Sequence, residues 1–308
     1  MSTIQPIRFK TISEFHRFRG LPAPEHPLVS VIDMSLVRHV AGNEPAIVKD
    51  FYSVALKRNF NVKMKYGQQD VDFDNGVMFF MAPGQVLRFG TEIDIEVQQS
   101  GWMLMLHPDL LWNTPLAKGI KQYEYFDYSV KEALFVSEKE EATLNTIVEN
   151  IQQEYRANLD KFSQDLIIAQ IELLLKYAER FYHRQFLTRK NINHKILDRL
   201  EEIINAYFSS PDLMQKGLPT VQYVAASLNI SPNYLSNMLK TLTGQTTQQH
   251  IHNRLIEKAK ERLSVTDLSV SEIAYELGFE HPQSFSKLFK TKTNYSPLEF
   301  RASFLSPG

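Results

Sequence analysis

The side chains best suited to chemistry in this 308-residue chain are nine histidines, and there is no cysteine. That excludes disulfides, thiolate zinc sites and cysteine nucleophiles. His250 and His252 stand two apart, a spacing that suits two ligands on a strand but turns them to different sides of a helix. His16, His26, His39 and His107 are scattered through the first half, His183 and His194 flank a basic stretch, and His281 falls in a turn. No H-x-H pair with a following Glu occurs in the strand-like region, so structural or surface histidine is the reading, with no metal and no cofactor assigned. G-x-S-x-G, P-loop and G-x-G-x-x-G patterns are missing, so neither a serine elbow nor a phosphate cradle is indicated. Glu140-Glu141 and Glu201-Glu202 fall on predicted helices as solvated pairs. No catalytic residue is assigned and no enzyme is expected.

The remaining chemistry is recognition. From Thr220 to Lys240, Val224, Leu228, Ile230, Leu235 and Met238 supply apolar contacts, Ala225 is a small residue and Asn229 sits at a turn. Two helices packed steeply across a tight turn need those features: a small residue where they approach, and Gly or Asn where φ is positive. Ser231-Pro232 then reads as a cap with proline at the first helical position. The pattern recurs with Ile273, Ala274, Leu277, Gly278, Phe279, Phe285 and Leu288, its turn one residue longer. Between the copies, residues 248–263 read as one continuous helix. A separation near one DNA turn, ~34 Å, would let both second helices enter adjacent major grooves.

Base readers must be polar and lie near the start of each second helix. These are Asn233, Ser236 and Asn237 in the first copy, and His281, Gln283, Ser284, Ser286 and Lys287 in the second. Asn237 and Gln283 suit adenine, and Lys287 suits guanine or phosphate. Lys240, Arg254, Lys290 and Lys292 are phosphate candidates.

The segments VAASLNISPNYLSNMLKTLTG, RLIEKAKERL and VSEIAYELGFEHPQSFSKLFKTKTNYSPLEFR, within residues 197–301, resemble the DNA-binding domain of AraC/XylS-type transcriptional regulators. The second copy with its longer turn, Gly278-Phe279 and the Ser296-Pro297-x-x-Phe300-Arg301 ending carries most of the likeness. The named readers match the family's contacting slots by position; Pro282 departs from the polar residue usual there. The resemblance implies a sequence-specific DNA-binding regulator, an activator that contacts RNA polymerase. MAPGQV and LHPDLLW resemble, more weakly, the cupin-like sensor domains of such regulators.

The elements that must position these residues fall into two halves. Residues before about 120 read as short strands with turn signals at Gly67, Asn75-Gly76, Pro83-Gly84 and Gly101, with period-two runs at 62–66, 77–81, 93–97 and 102–106. Helical periodicity begins at Ser137-x-x-Glu140, a capping box. Leu144, Ile147, Val148, Ile151 and Tyr155 form one stripe, and a second helix runs about 161–186. The expectation is an α+β chain: a cupin-like β-barrel with a helical pair (1–186), a polar linker (187–195), and an all-α double helix-turn-helix domain (196–308). A small barrel can hold one small ligand, and Met64, Tyr66, Met78, Phe80, Phe89 and Trp102 are its candidate lining, an effector pocket. The helical pair is a candidate homodimer interface. Two rivals remain: a cupin-type metal enzyme fused to a DNA module, disfavoured by the missing ligand pattern, and an architectural DNA binder without effector.

The formal net charge is −1, which excludes a wholly basic nucleic-acid binder but not local patches. Lys287, Lys290, Lys292 and Arg301 stand against Glu299 alone. No apolar run reaches the ~18 residues of a membrane span, and no secretory h-region is read at the N-terminus, so a cytoplasmic protein without membrane contact is expected.

Overall fold

The computed structural model describes residues 6–37, 46–58, 65–66, 69–70, 76–87, 100–129, 132–157 and 160–305. The chain divides into two compact units, Met1–Gln185 and Phe186–Gly308. The strands are β1 (Ile7–Phe9), β2 (Val29–Asp33), β3 (Ile47–Lys49), β4 (Tyr52–Arg58), β5 (Lys65–Tyr66), β6 (Gln69–Asp70), β7 (Gly76–Met81), β8 (Val86–Leu87), β9 (Ser100–Leu106) and β10 (Leu134–Val136). They form a five-stranded antiparallel sheet in the order β10-β7-β4-β9-β2, a three-stranded sheet β1-β3-β8, and the hairpin β5-β6. The expected barrel is therefore not closed. Among the described residues no ladder joins the edges of the two larger sheets, and one apolar cluster packs between them instead: Phe9, Ile12, Phe15, Ile32, Ile47, Phe51 and Met105. The run expected at 93–97 lies outside the described residues.

The helices of the first unit are α1 (Ile12–Phe18), α2 (Leu116–Gly119), α3 (Glu138–Arg156) and α4 (Ser163–Thr188), the last running three residues past the unit boundary. The α3 capping box forms as its sequence predicts, with Ser137 accepting from the Glu140 amide and Glu140 reaching back to Ser137 N–H. The whole Leu144–Tyr155 stripe is buried. Trp102 Nε1 donates to Asn145 Oδ1 of α3 at 2.8 Å, and Tyr155 Oη accepts from Val31 N at 3.3 Å.

Register decides what the strands show to each side. Leu56 pairs with both Trp102 and Met78, and Val54 with both Leu104 and Phe80, so these side chains share one face of the five-stranded sheet. That face packs on helices: Phe80 lies 4.6 Å from the Tyr125 ring and 6.1 Å from that of Tyr182 on α4. Met78, Phe80 and Trp102 thus fill the sheet–helix core rather than line the space between the sheets, because their parity in the register turns them the other way. Tyr66 lies on β5, and Met64 and Phe89 are outside the described residues. The inner face is carried by Ser30, Ile32, Ser53, Ala55, Lys57, Phe79, Met103 and Met105.

One inner residue is Lys49, 3% exposed, with Nζ donating to Ser53 Oγ at 2.6 Å. Burial, with Lys57 and Arg19 nearby, pushes its ammonium down from 10.5 to about 7. The unfolded chain holds this proton to higher pH, so above pH 7 the unfolded state binds more protons and stability rises with pH. Below pH 7 both states hold it and the full cost of the buried charge is present. The urea midpoint of the first unit is expected to rise between pH 7 and 9 by the equivalent of about 1–2 kcal/mol, and a Lys49→Met variant should lack that slope.

The second unit is helical: α5 (Lys190–Phe208), α6 (Leu213–Lys216), α7 (Val221–Ser227), α8 (Pro232–Thr243), α9 (Thr247–Val265), α10 (Val270–Glu276), α11 (Pro282–Thr293) and α12 (Pro297–Leu305). The polar stretch expected as a linker, 187–195, is helical on both sides of Arg189, since it contains neither Pro nor Gly to break a helix. No helix among the described residues is long and apolar enough to cross a membrane.

Candidate nucleic-acid interface

Helices α7 and α8, and again α10 and α11, form the two expected helix–turn–helix units. The first turn is Leu228–Ser231 and the second Leu277–His281, one residue longer. Asn229 and Gly278 take the positive φ that each turn requires, 56° and 84°. The small residues Ala225 and Ala274 are fully buried, as are the anchors Leu235 and Phe285. Ser231 caps α8 by accepting from Tyr234 N at 3.3 Å. His281 occupies the same place before α11 without a side-chain cap. The connecting helix α9 is continuous, its capping box formed by Thr246 and Gln249.

The ending Ser296-Pro297-x-x-Phe300-Arg301 is a docking element. Phe300 meets Phe289 of α11 at 5.4 Å, Lys260 of α9 lies over its ring, and Arg301 Nε donates to Leu263 O, one of the carbonyls in the last turn of α9. These contacts tie α9 and α12 to α11, the second helix of the second unit.

The second helices of the two units, α8 and α11, present different faces. On α11, Gln283, Ser284 and Lys287 are exposed, with His281 before them and Lys290 and Lys292 beyond; Ser286 is half-buried. On α8, Asn233 and Asn237 are half-buried, and only Lys240 among the expected contacts is exposed. Ser236 Oγ lies 3.0 Å from Oγ1 of the fully buried Thr247, so its hydroxyl serves the joint between α8 and α9. Arg254 is held by Glu257 at 2.8 Å, which takes up part of the charge expected to face phosphate.

Sequence reading missed Tyr234. It stands where the second copy has Ser284, yet it is 2% exposed and its ring meets Phe186 at 5.1 Å. Asn193 Nδ2, donating to Phe186 O, fixes the backbone beneath that ring. The unequal residue types, Tyr against Ser at one slot, were the available signal.

Among the described residues the histidines do not gather. His250 Nε2 lies 2.9 Å from Thr243 Oγ1 and His252 Nε2 2.8 Å from Gln248 Nε2. Burial holds both rings below the usual histidine range, with Lys292 adding to the effect at His252. Among the described residues no three His, Asp or Glu side chains are placed to hold a metal.

Two successive helix–turn–helix units on a continuous connecting helix define a class of DNA-binding domain. Residues 224–303 match the family model described as a helix-turn-helix domain. An uncharacterised helix-turn-helix-type transcriptional regulator in the cgkA 5′ region of Pseudoalteromonas carrageenovora is 38% identical over 86 residues, 28% of this chain and 51% of that protein. The transcriptional activator RhaS of Salmonella arizonae is 38% identical over 78 residues, 25% of this chain and 28% of RhaS. The solved C-terminal domain of AraT, a response regulator from Geobacillus stearothermophilus, is 34% identical, covering 35% of this chain and 84% of that one, with a TM-score of 0.31. The chain thus spans about half or less of these two curated relatives. The family match and the regulator relatives support the AraC-type resemblance for the C-terminal unit.

Proposed function

We propose that this chain is a transcription regulator that binds double-stranded DNA through both helix–turn–helix units, with α11 as the stronger reader. The carrying observation is the exposed polar face of α11: Gln283, Ser284 and Lys287 toward its start, and Lys290 and Lys292 toward its end. Side chains so placed can reach base edges from the N-terminal half and phosphates from the other. The half-buried face of α8 and the paired Arg254 fit a weaker contribution from the first copy.

Selecting bound sequences from random DNA gives the operator. Against it, Lys287→Ala is expected to weaken specific binding by ~1–3 kcal/mol with the fold retained, and Asn237→Ala at the low end of that range. Equal affinity of both variants and the parent would overturn the assignment. On α8 and α11 the exposed basic side chains are Lys240, Lys287, Lys290 and Lys292, so the salt slope should be shallow, set by the few phosphates they can reach.

The finer reading follows the resemblance: a cupin-like sensor in the first unit, a small-molecule effector, activation through RNA polymerase in the cytoplasm, and a homodimer. For the dimer the support is a line of exposed apolar residues, Phe162, Leu166 and Leu173, along and just before α4. Sedimentation at micromolar concentration tests it; a strictly monomeric species with and without DNA would overturn it.

A further inference from the structure

Three contacts fix how α3 crosses the five-stranded sheet. Near its start, buried Glu141 lies 2.7 Å from Arg58 Nε of β4. One turn on, Asn145 accepts from the indole N–H of Trp102 on β9 at 2.8 Å. Near its end, Tyr155 Oη accepts from Val31 N of β2 at 3.3 Å. The helix thus passes over β4, β9 and β2 in the order in which they pair. Between helix and sheet lies a cleft of about 360 Å³, at the small end of ligand pockets, which hold roughly 300–1,000 Å³. Asp33 pairs with Trp102, and Ser100 with Arg58, on one face of the sheet. The cleft therefore opens on the helix side of that sheet and not between the two sheets.

The two ends of the cleft differ in charge. At the β4 end, Arg58 is half exposed, and beyond its pairing with Glu141 its guanidinium has no partner among the described residues. At the β2 end stand Asp33 and Glu149, the latter ~12 Å past Glu141 along the helix axis. Among the described residues nothing pairs with Glu149, and Asp33 accepts only from the Ser35 amide, at 2.8 Å. Between the ends the walls are apolar, with Val31 and Trp102 on the sheet and Val148 on the helix. A joint that needed only filling would close the gap with apolar side chains, as the Leu144–Tyr155 stripe does beside it. We infer that this cleft binds a linear zwitterion of the ω-amino acid class. Its ammonium sits with Asp33 and Glu149, its carboxylate on the open side of Arg58, and its methylenes along Trp102 and Val148. A plain amine leaves the Arg58 donors unused, and a plain carboxylate leaves Asp33 and Glu149 unmatched. The bearing of the site on DNA binding rests on the reading of the chain as a transcription regulator.

The chain has two tryptophans, and Trp112 is 74% exposed, so a Trp112→Phe variant of the full chain reports on Trp102 alone. In that variant, ε-aminocaproate or δ-aminovalerate is expected to shift the Trp102 emission saturably. The better of the two should bind about tenfold tighter than hexylamine or hexanoate, the worth of one charged hydrogen bond. Glu149→Gln, at an exposed position, should weaken the amino acid about tenfold and leave hexanoate unchanged. Replacing Arg58 and Glu141 together by Gln removes the ion pair without stranding a buried charge. That double variant should lose the preference over hexylamine; if it fails to fold, Glu149→Gln and the two half-probes still decide. The inference is overturned if neither amino acid shifts the emission up to millimolar concentration, if hexylamine or hexanoate binds as well, or if Glu149→Gln binds unchanged. Binding of the selected operator by the same preparation is read in parallel. Operator binding without amino-acid binding defeats this inference alone, and amino-acid binding without operator binding defeats the DNA reading alone.

Discussion

Phe285→Ala is expected to destabilise the C-terminal unit by about 3–5 kcal/mol and to abolish specific DNA binding at physiological temperature. Phe285 has no exposed surface and stands in the first turn of α11. Its ring meets Phe279 at 5.4 Å and Phe289 at 5.8 Å, and Phe289 in turn meets Phe300 of α12. Truncation removes the transfer free energy of the ring and leaves a cavity that its two aromatic neighbours, packed in turn against other residues, cannot fill. Because α11 carries Gln283, Ser284 and Lys287 on its opposite face, the lost packing should reach those side chains directly. Hydrogen exchange of the α11 amides reads the effect in the full chain, and Phe285→Leu should recover part of it. A loss below about 1 kcal/mol would mean that this ring chain does not hold the reading helix.

Gly278→Ala is expected to cost about 2–4 kcal/mol, whereas Asn229→Gly at the matching turn should stay within about 1 kcal/mol. Both turns need a positive φ, but their surroundings differ. At φ 84°, a Cβ on Gly278 would stand 3.0 Å from Gly217 C and 3.1 Å from Leu213 O. These are backbone atoms, which cannot swing aside as a side-chain tip can. Left-handed strain and a backbone clash therefore act together. Asn229, exposed at φ 56°, shows that an L-residue is accepted where nothing crowds the turn. Urea unfolding of the two variants side by side, followed by far-UV circular dichroism, checks the contrast. Equal small losses would show that α6 yields to a methyl group.

The second half of the chain was legible because its signals are local. Asn229 and Gly278 announce positive φ, Ser231-Pro232 announces a helix start, and the apolar residues around them repeat at helical spacing; each depends on neighbours a few residues away. The α3 boundary followed from Ser137 and Glu140 for the same reason. Polar and basic composition marks residues 187–195 as a connector but does not say that it is helical; they hold no residue that stops a helix and are helical on both sides of Arg189. The barrel was misjudged because strand runs do not say which edges pair.

Local residue patterns therefore sufficed for the two helix–turn–helix units, the polar residue types at the start of each unit's second helix, and the mixed α+β division of the chain. Tertiary structure alone decided three things. It turned Met78, Phe80 and Trp102 toward the helices, because a strand's parity becomes inside or outside only once its partner's register is set. It drew Ser236 and Tyr234 into packing contacts and left the matching Ser284 in solvent, because exposure depends on residues distant in sequence such as Phe186 and Thr247. It also gathered His16, Arg19, Lys49 and Ser53 from α1 and its end, β3 and β4 into one cluster of buried polar side chains, which no local pattern marks because those residues meet only when the chain folds.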